Sequence, residues 1–377
     1  MREPAVISAY HRRKLAARLI ATAGWVTYAA AWTLIADRVV ADLAGALSSR
    51  WLVLLMTAGL LAAGFEILTL PLSYYRSYIV ERAFELSEET RAHWLRQRAK
   101  GWIVGVVLGG VLLIGLYGLL WYGGAWWWAG VWGGWLALSV VLAQLFPVLI
   151  LPIFYPATPV EDPALGERLA ALAKGTGIRI DGVYNLKMAD ETKKANAMLT
   201  GLGATRRVYF TDTLLAAFST EQIEVVFAHE LGHHVRGHIW KGLAMSAVAA
   251  SAVVGVMAWL LGPYAGSAAE LWPAAVATLP AVLLAVTLVQ MAIGPIANAI
   301  SRHFERQCDR DALTRTGNPQ AYREAFETLG HMNLSDPTPP RIVELLFYDH
   351  PALSKRLAMA IDPDGKTSEP RAKASGF

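Results

Sequence analysis

At 377 residues, the chain is long enough for two or three soluble domains. Its composition argues against that arrangement: 55% of residues are apolar and only 17% are charged, against roughly 25% charged in an ordinary soluble domain. The net charge of +4 includes no dense basic tract for nucleic acid, the single Cys308 excludes an intrachain disulfide, and the mean hydropathy of +0.36 excludes a disordered chain.

Uncharged runs locate the membrane, because a helix needs about 20 apolar residues to cross it. Leu19–Ala36 and Trp51–Leu72 are the first two spans, the second carrying Glu66. Residues 101–160 hold no charged side chain; the Gly123-Gly124 turn divides them into Trp102–Trp121 and Ala125–Leu151. Ile239–Leu261 and Ala274–Ile300 complete six, the last with a bend expected near Pro280 or Pro295. No small-residue cleavage pattern marks a removed signal peptide. Arg2, Arg12, Arg13, Lys14 and Arg18 precede the first span, and six basic residues follow the second in 73–101. This bias predicts cytoplasmic termini and places 73–101, 152–238 and 301–377 in the cytoplasm. The style of the composition suggests a bacterial inner membrane.

Four regions follow: 1–151, a membrane domain with four spans; 152–238, a cytoplasmic half; 239–300, a membrane hairpin; and 301–377, a second cytoplasmic half. In the first half, Glu161–Lys174 has helical period, and Gly182–Met188, Asn196–Thr200 and Arg207–Thr211 read as short strands. Leu214–Phe218 is a brief helical turn. Ser219 with Gln222 forms a capping box for the next helix. In the second half, 301–316, 319–331 and Leu353–Ile361 read as helices, Pro337, Pro339 and Pro340 mark a loop, and the polar tail from Asp362 is expected to be mobile.

The capped helix carries His229-Glu230-Leu231-Gly232-His233. Two histidines at i and i+4 share a helix face, so both rings can hold one zinc ion. Glu230 beside them can take a proton from the attacking water. A catalytic zinc takes three protein ligands. Glu305 is the first acid after the chain returns from the membrane, which makes it the leading third ligand, with Asp309 and Asp311 left open. Asp309 lies one turn on and suits a carboxylate that orients a ligand ring. Glu66, deep in a span, either lines a polar interior or approaches an interface. His234 and His238 turn away from the ligand face and read as structural.

These residues carry a resemblance. Asn196-Ala197 with Thr200–Gly203, His229–His233, Ser301-Arg302-x-x-Glu305-x-x-x-Asp309, His350-Pro351 with Leu353 and Arg356, and Pro71–Arg76 together resemble the integral-membrane gluzincin peptidases. The likeness is greatest to the type I CAAX prenyl endopeptidases. It implies a mainly α fold: a polytopic membrane helical barrel of about six spans, with a gluzincin-like α+β zinc-protease domain split around the last two. It implies one zinc ion per chain on His229, His233 and Glu305. It further implies that His350 supports the oxyanion, that Asn196 and Ala197 bind an extended substrate, and that Arg356 braces the His350 loop or pairs with a carboxylate. The eukaryotic members have seven spans, so a shortened N-terminal end is implied. Ala352, Met198 and Cys308 depart from the family's usual residues without removing a catalytic group.

The expected function is a zinc-dependent membrane endopeptidase acting on a peptide or protein substrate, lipidated or membrane-associated. An HtpX-like quality-control protease is the alternative within the class. A transporter or scaffold with structural zinc is the alternative outside it; an intact Glu230 and a three-ligand site oppose it.

Overall fold

The computed structural model describes residues 3–267 and 270–361. The tail from Asp362 lies outside the described residues. Among these, six helical segments are long and apolar enough to cross a membrane: Pro4–Ala46, Arg50–Ala83, Arg91–Tyr122, Gly124–Phe154, His238–Tyr264 and Trp272–Thr316. Each contains one of the six spans expected from the uncharged runs. Their apolar side chains face outward: Leu34 is 86% exposed and Val106 is 73% exposed. In water such a surface is untenable; in lipid it costs nothing, and the helix satisfies its own backbone.

The last span is interrupted at Thr278, between helices Trp272–Ala277 and Leu279–Thr316. Pro280 then sits in the first turn of the second helix, where its missing N–H is no loss. Pro295 is carried inside that helix. The helix continues past the apolar stretch to Thr316, so the same helix carries Glu305 and Asp309 to the core outside the spans.

The soluble part holds a four-stranded sheet of β1 (Ala157–Pro159), β2 (Gly182–Leu186), β3 (Ala197–Thr200) and β4 (Arg207–Thr211). The spatial order is β1-β2-β4-β3; β2 and β4 run parallel, and the outer pairs are antiparallel. The strand β1 was not expected. Three residues are too few to show an alternating pattern. Helix Arg341–Phe347 was also not expected, because it follows a proline-rich loop.

The two chain segments flanking the last membrane hairpin share one core. Phe210, Leu214, Val225, Phe227 and Leu231 pack with Ala312, Leu313, Tyr322, Ala325 and Phe326. At the other end of the spans, Tyr117, Trp121 and Trp127 pack with Leu261, Val276 and Leu279. The Tyr117 hydroxyl donates to the Ala275 carbonyl at 2.9 Å there.

Candidate active site

The motif helix, Thr220–Val235, starts with the expected capping box: the Ser219 hydroxyl accepts from Gln222 N–H, and the Gln222 side chain accepts from Ser219 N–H. Its apolar side is buried, which aims His229 and His233 at helix Leu279–Thr316. A Cβ on Gly232 would lie 3.2 Å from both Cα and Sγ of Cys308. Glycine at this motif position lets the two helices cross closely enough for ligands from both to meet.

Three ligand atoms converge at that crossing. His229 Nε2 lies 3.2 Å from Glu305 Oε2, and His233 Nε2 lies 3.2 Å from Glu305 Oε1. All three side chains offer an atom within 4.8 Å of the others, the spacing of a shared metal ion. Glu305 Oε2 is buried and makes no close hydrogen bond; its nearest nitrogens are His229 Nε2 at 3.2 Å and His350 Nε2 at 3.4 Å. Two imidazole nitrogens and a carboxylate gathered at one point are the donor set of a divalent metal ion, and the residues therefore fit one.

The supports of this triad are equally specific. His229 Nδ1 faces Asp309 Oδ1 at 2.9 Å. Arg356 grips the same carboxylate at 2.6 and 3.0 Å, and its guanidinium lies 4.0 Å over the Phe326 ring. Burial disfavours charge on His229, but its bonds to Asp309 and Glu305 outweigh this and raise its pKa to about 10. Asp309 thus orients the ring, Glu305 remains with the ligand cluster, and Arg356 pairs with the carboxylate. It does not brace the His350 loop directly. Arg302 does that, donating to the carbonyls of Glu344 at 2.9 Å and Tyr348 at 2.5 Å.

A cavity of about 390 Å³ opens beside the triad, lined by Glu230, His229, Asn196, Ala197, His350 and Arg356 among others. His350 Nε2 points to Glu305 Oε2 at 3.4 Å, while Asp349 Oδ1 holds Nδ1 at 2.8 Å. Burial opposes charge on His350, but Asp349 and Glu305 raise its pKa. Asp349 was missed in the sequence, where nothing distinguishes it from a loop acid. His11, from the first membrane helix, also lines the cavity, and it contacts the Leu334 carbonyl at 2.7 Å.

Strand β3 forms the cavity's edge. Thr211 N–H donates inward to Asn196 O at 3.0 Å, so Ala197 and Leu199 present their backbones outward. Leu199 N–H reaches Glu230 Oε2 at 3.4 Å, and Leu199 O accepts from His234 Nε2 at 2.8 Å. Arg206 donates to His234 Nδ1 at 3.2 Å. Burial lowers the His234 pKa, which suits this neutral ring. His234 thus fastens the edge strand to the motif helix. Glu66 is not brought to this cavity. It pairs with Arg98, which borders a second cavity of about 270 Å³.

Comparisons with known proteins agree with this geometry. The profile of peptidase family M48 matches residues 159–363, and a profile described as the CAAX prenyl protease N-terminal region with five membrane helices matches residues 8–156. Among the described residues, that second segment holds four spans. An uncharacterized metalloprotease, YhfN, from Bacillus subtilis (strain 168) is 27% identical over 298 residues, covering 78% of this chain and 70% of its own. The CAAX prenyl protease 1 homolog of Arabidopsis thaliana is also 27% identical, covering 81% and 72%. The crystal structure of S. mikatae Ste24p superposes with a TM-score of 0.72 at 26% identity, covering 82% of this chain and 75% of that one. A metal-ligand crossing delivered by a membrane hairpin, inside a chain matched over both its halves, belongs to an integral-membrane metallopeptidase: the chain is a member of peptidase family M48.

Proposed function

We propose that the metal of this membrane metallopeptidase is zinc, held by His229, His233 and Glu305, and that Glu230 is its general base. The observation that carries the reading is the convergence of three candidate ligand side chains, His229 and Glu305 buried and His233 partly exposed, beside a cavity edged by strand β3. Two nitrogens and one carboxylate oxygen suit zinc and leave a position open. When bound, zinc would polarise the scissile carbonyl and acidify the attacking water. Glu230 takes the proton of that water and passes it to the leaving amine. His350, whose protonated form Asp349 and Glu305 favour, donates from Nε2 to the developing oxyanion when protonated. The outward edge of Ala197 receives an extended substrate backbone as an added strand would, once its N–H leaves the Asn196 side-chain oxygen that it bonds at 2.9 Å.

The substrate is a lipidated or membrane-associated peptide or protein of the kind named for the CAAX prenyl protease relatives. His11 lines the cavity from the N-terminal turns of the helix that continues as the first span, which supports a substrate held near the membrane. Cleavage-site mapping on farnesylated and unmodified CAAX peptides, beside an unfolded membrane protein, tests this. Preference for the farnesylated peptide supports it; cleavage of the unfolded protein alone would show a quality-control protease.

The regions 1–151, 152–238, 239–300 and 301–377 form a membrane domain, a protease half, a membrane hairpin and a second protease half, with both halves and both termini in the cytoplasm. The basic loops support this orientation. Cysteine labelling should reach positions 123 and 267 only from the opposite side. Labelling of 267 from the cytoplasm would overturn the topology.

A further inference from the structure

His238 follows His233 by five residues, so a continuous helix would carry it off the ligand face. The helix is not continuous. It ends at Val235, and Gly237 takes a left-handed conformation with φ 65° before the membrane helix His238–Leu261 begins. This turn brings His238 back over His233, with the two Nδ1 atoms 3.2 Å apart.

The surroundings of His238 decide where its proton sits. Its Nε2 faces Gln307 Oε1 at 2.9 Å. The Gln307 amide nitrogen lies 2.9 Å from His303 Nε2 and donates to it in this orientation, with the amide oxygen toward His238. An amide oxygen only accepts; His238 therefore carries its proton on Nε2 and presents a bare Nδ1. A bare His238 Nδ1 then takes the proton of His233 Nδ1 at 3.2 Å, beside the weaker thiol donor of Cys308 at 3.5 Å. That leaves the lone pair of His233 Nε2 free, on the side where Glu305 Oε1 lies at 3.2 Å. A reversed amide would push the His233 proton onto Nε2 and block coordination. The His238 ring is buried and stacked on Phe304, with centroids 4.1 Å apart and planes within 10°.

We propose that His238 is a positioning residue for the metal ligand His233: fixed by Gln307 and Phe304, it selects the tautomer and ring angle that let His233 coordinate. Asp309 does this for His229 with a carboxylate; His238 does it for His233 with a neutral ring. The two ligand histidines therefore differ in how strongly their second nitrogen is polarised. Cys308 Sγ, 3.5 Å from His238 Nδ1, packs beside this contact.

The inference rests on His233 being a metal ligand, so the experiment separates the two. Zinc affinity is measured on the full chain in detergent by competition with a chelator, for wild type and His233→Ala, His238→Phe, His238→Asn, Gln307→Leu and Cys308→Ala. Equal affinity of wild type and His233→Ala would overturn the ligand assignment itself. With that assignment intact, His238→Phe keeps the stack but loses the acceptor and should weaken zinc about 10–100-fold. His238→Asn returns an acceptor near the Nδ1 position and should recover most of this. Gln307→Leu frees the His238 tautomer and should weaken zinc in the same direction with less disturbance to packing. Wild-type affinity in both His238→Phe and Gln307→Leu would overturn the proposal, as would no recovery in His238→Asn. His233, His238 and Cys308 also offer three clustered ligand atoms. Loss of a second zinc equivalent in Cys308→Ala would mean that His238 coordinates an ion, and would equally overturn it.

Discussion

Arg356 holds Asp309 by two hydrogen bonds, at 2.6 and 3.0 Å, and Asp309 in turn holds His229 at 2.9 Å. A residue of the last described helix is thereby linked to the proposed ligand His229, 127 positions earlier. Asp309 has no exposed surface, so its charge depends on Arg356.

Arg356→Ala should therefore destabilise the protein strongly. Removing one partner of a buried pair costs up to about 3–5 kcal/mol, and here it leaves the buried Asp309 carboxylate with His229 as its remaining charge partner. Arg356→Lys should recover only part, since an ammonium cannot make the two-pronged contact. Thermal unfolding of the full chain in detergent measures this. Adding Asp309→Asn to Arg356→Ala removes the stranded charge, so the double variant should be more stable than Arg356→Ala alone. Additive losses would refute the pairing argument.

Glu230→Gln should separate catalysis from metal binding. Glutamine keeps the shape but cannot accept a proton, and loss of a general base costs about a hundred- to ten-thousand-fold in rate. Zinc per chain should be unchanged. The measurement is zinc content and peptide turnover, with both proteins purified in parallel. A variant that holds zinc and cleaves at the wild-type rate would rule out Glu230 as the base.

Metal uptake should depend on pH through His229. Its neighbours raise its pKa to about 10, and a ligand nitrogen must lose its proton to bind a metal. Proton and metal therefore compete. Below about pH 10, each unit of acidification should weaken apparent affinity by up to about tenfold from this group. At neutral pH, uptake should release about one proton from it. Chelator competition across pH, with proton release read in weak buffer, checks the slope. Asp309→Asn removes a cause of the raised pKa and should flatten it. An affinity that does not change with pH would contradict the assignment.

Ligand and base pairings show how far local pattern reaches. Glu305 could be favoured only by its position on the chain's return from the membrane, with Asp309 and Asp311 open on the residues alone. The structure brings Glu305 between the two histidines and turns Asp309 behind His229. Helical period carries His238 away from the His229/His233 face; the left-handed Gly237 interrupts that period and sets His238 Nδ1 3.2 Å from His233 Nδ1. Asp349 and His11 were missed because each acts across space on a partner distant in sequence or ordinary in pattern.

The sequence alone determined what is periodic or compositional. Uncharged runs of membrane length marked the spans, because lipid penalises charge wherever the chain folds. A capping box and histidines one turn apart marked the motif helix, because helical geometry is local. Tertiary structure decided which residues from separate segments meet. The close crossing at Gly232 and Cys308, the pinning of Leu199 by Glu230 and His234, and the Arg356–Asp309–His229 chain all join segments that no local repeat relates. Their partners are chosen by packing of the shared core, and packing leaves no period in the sequence to read.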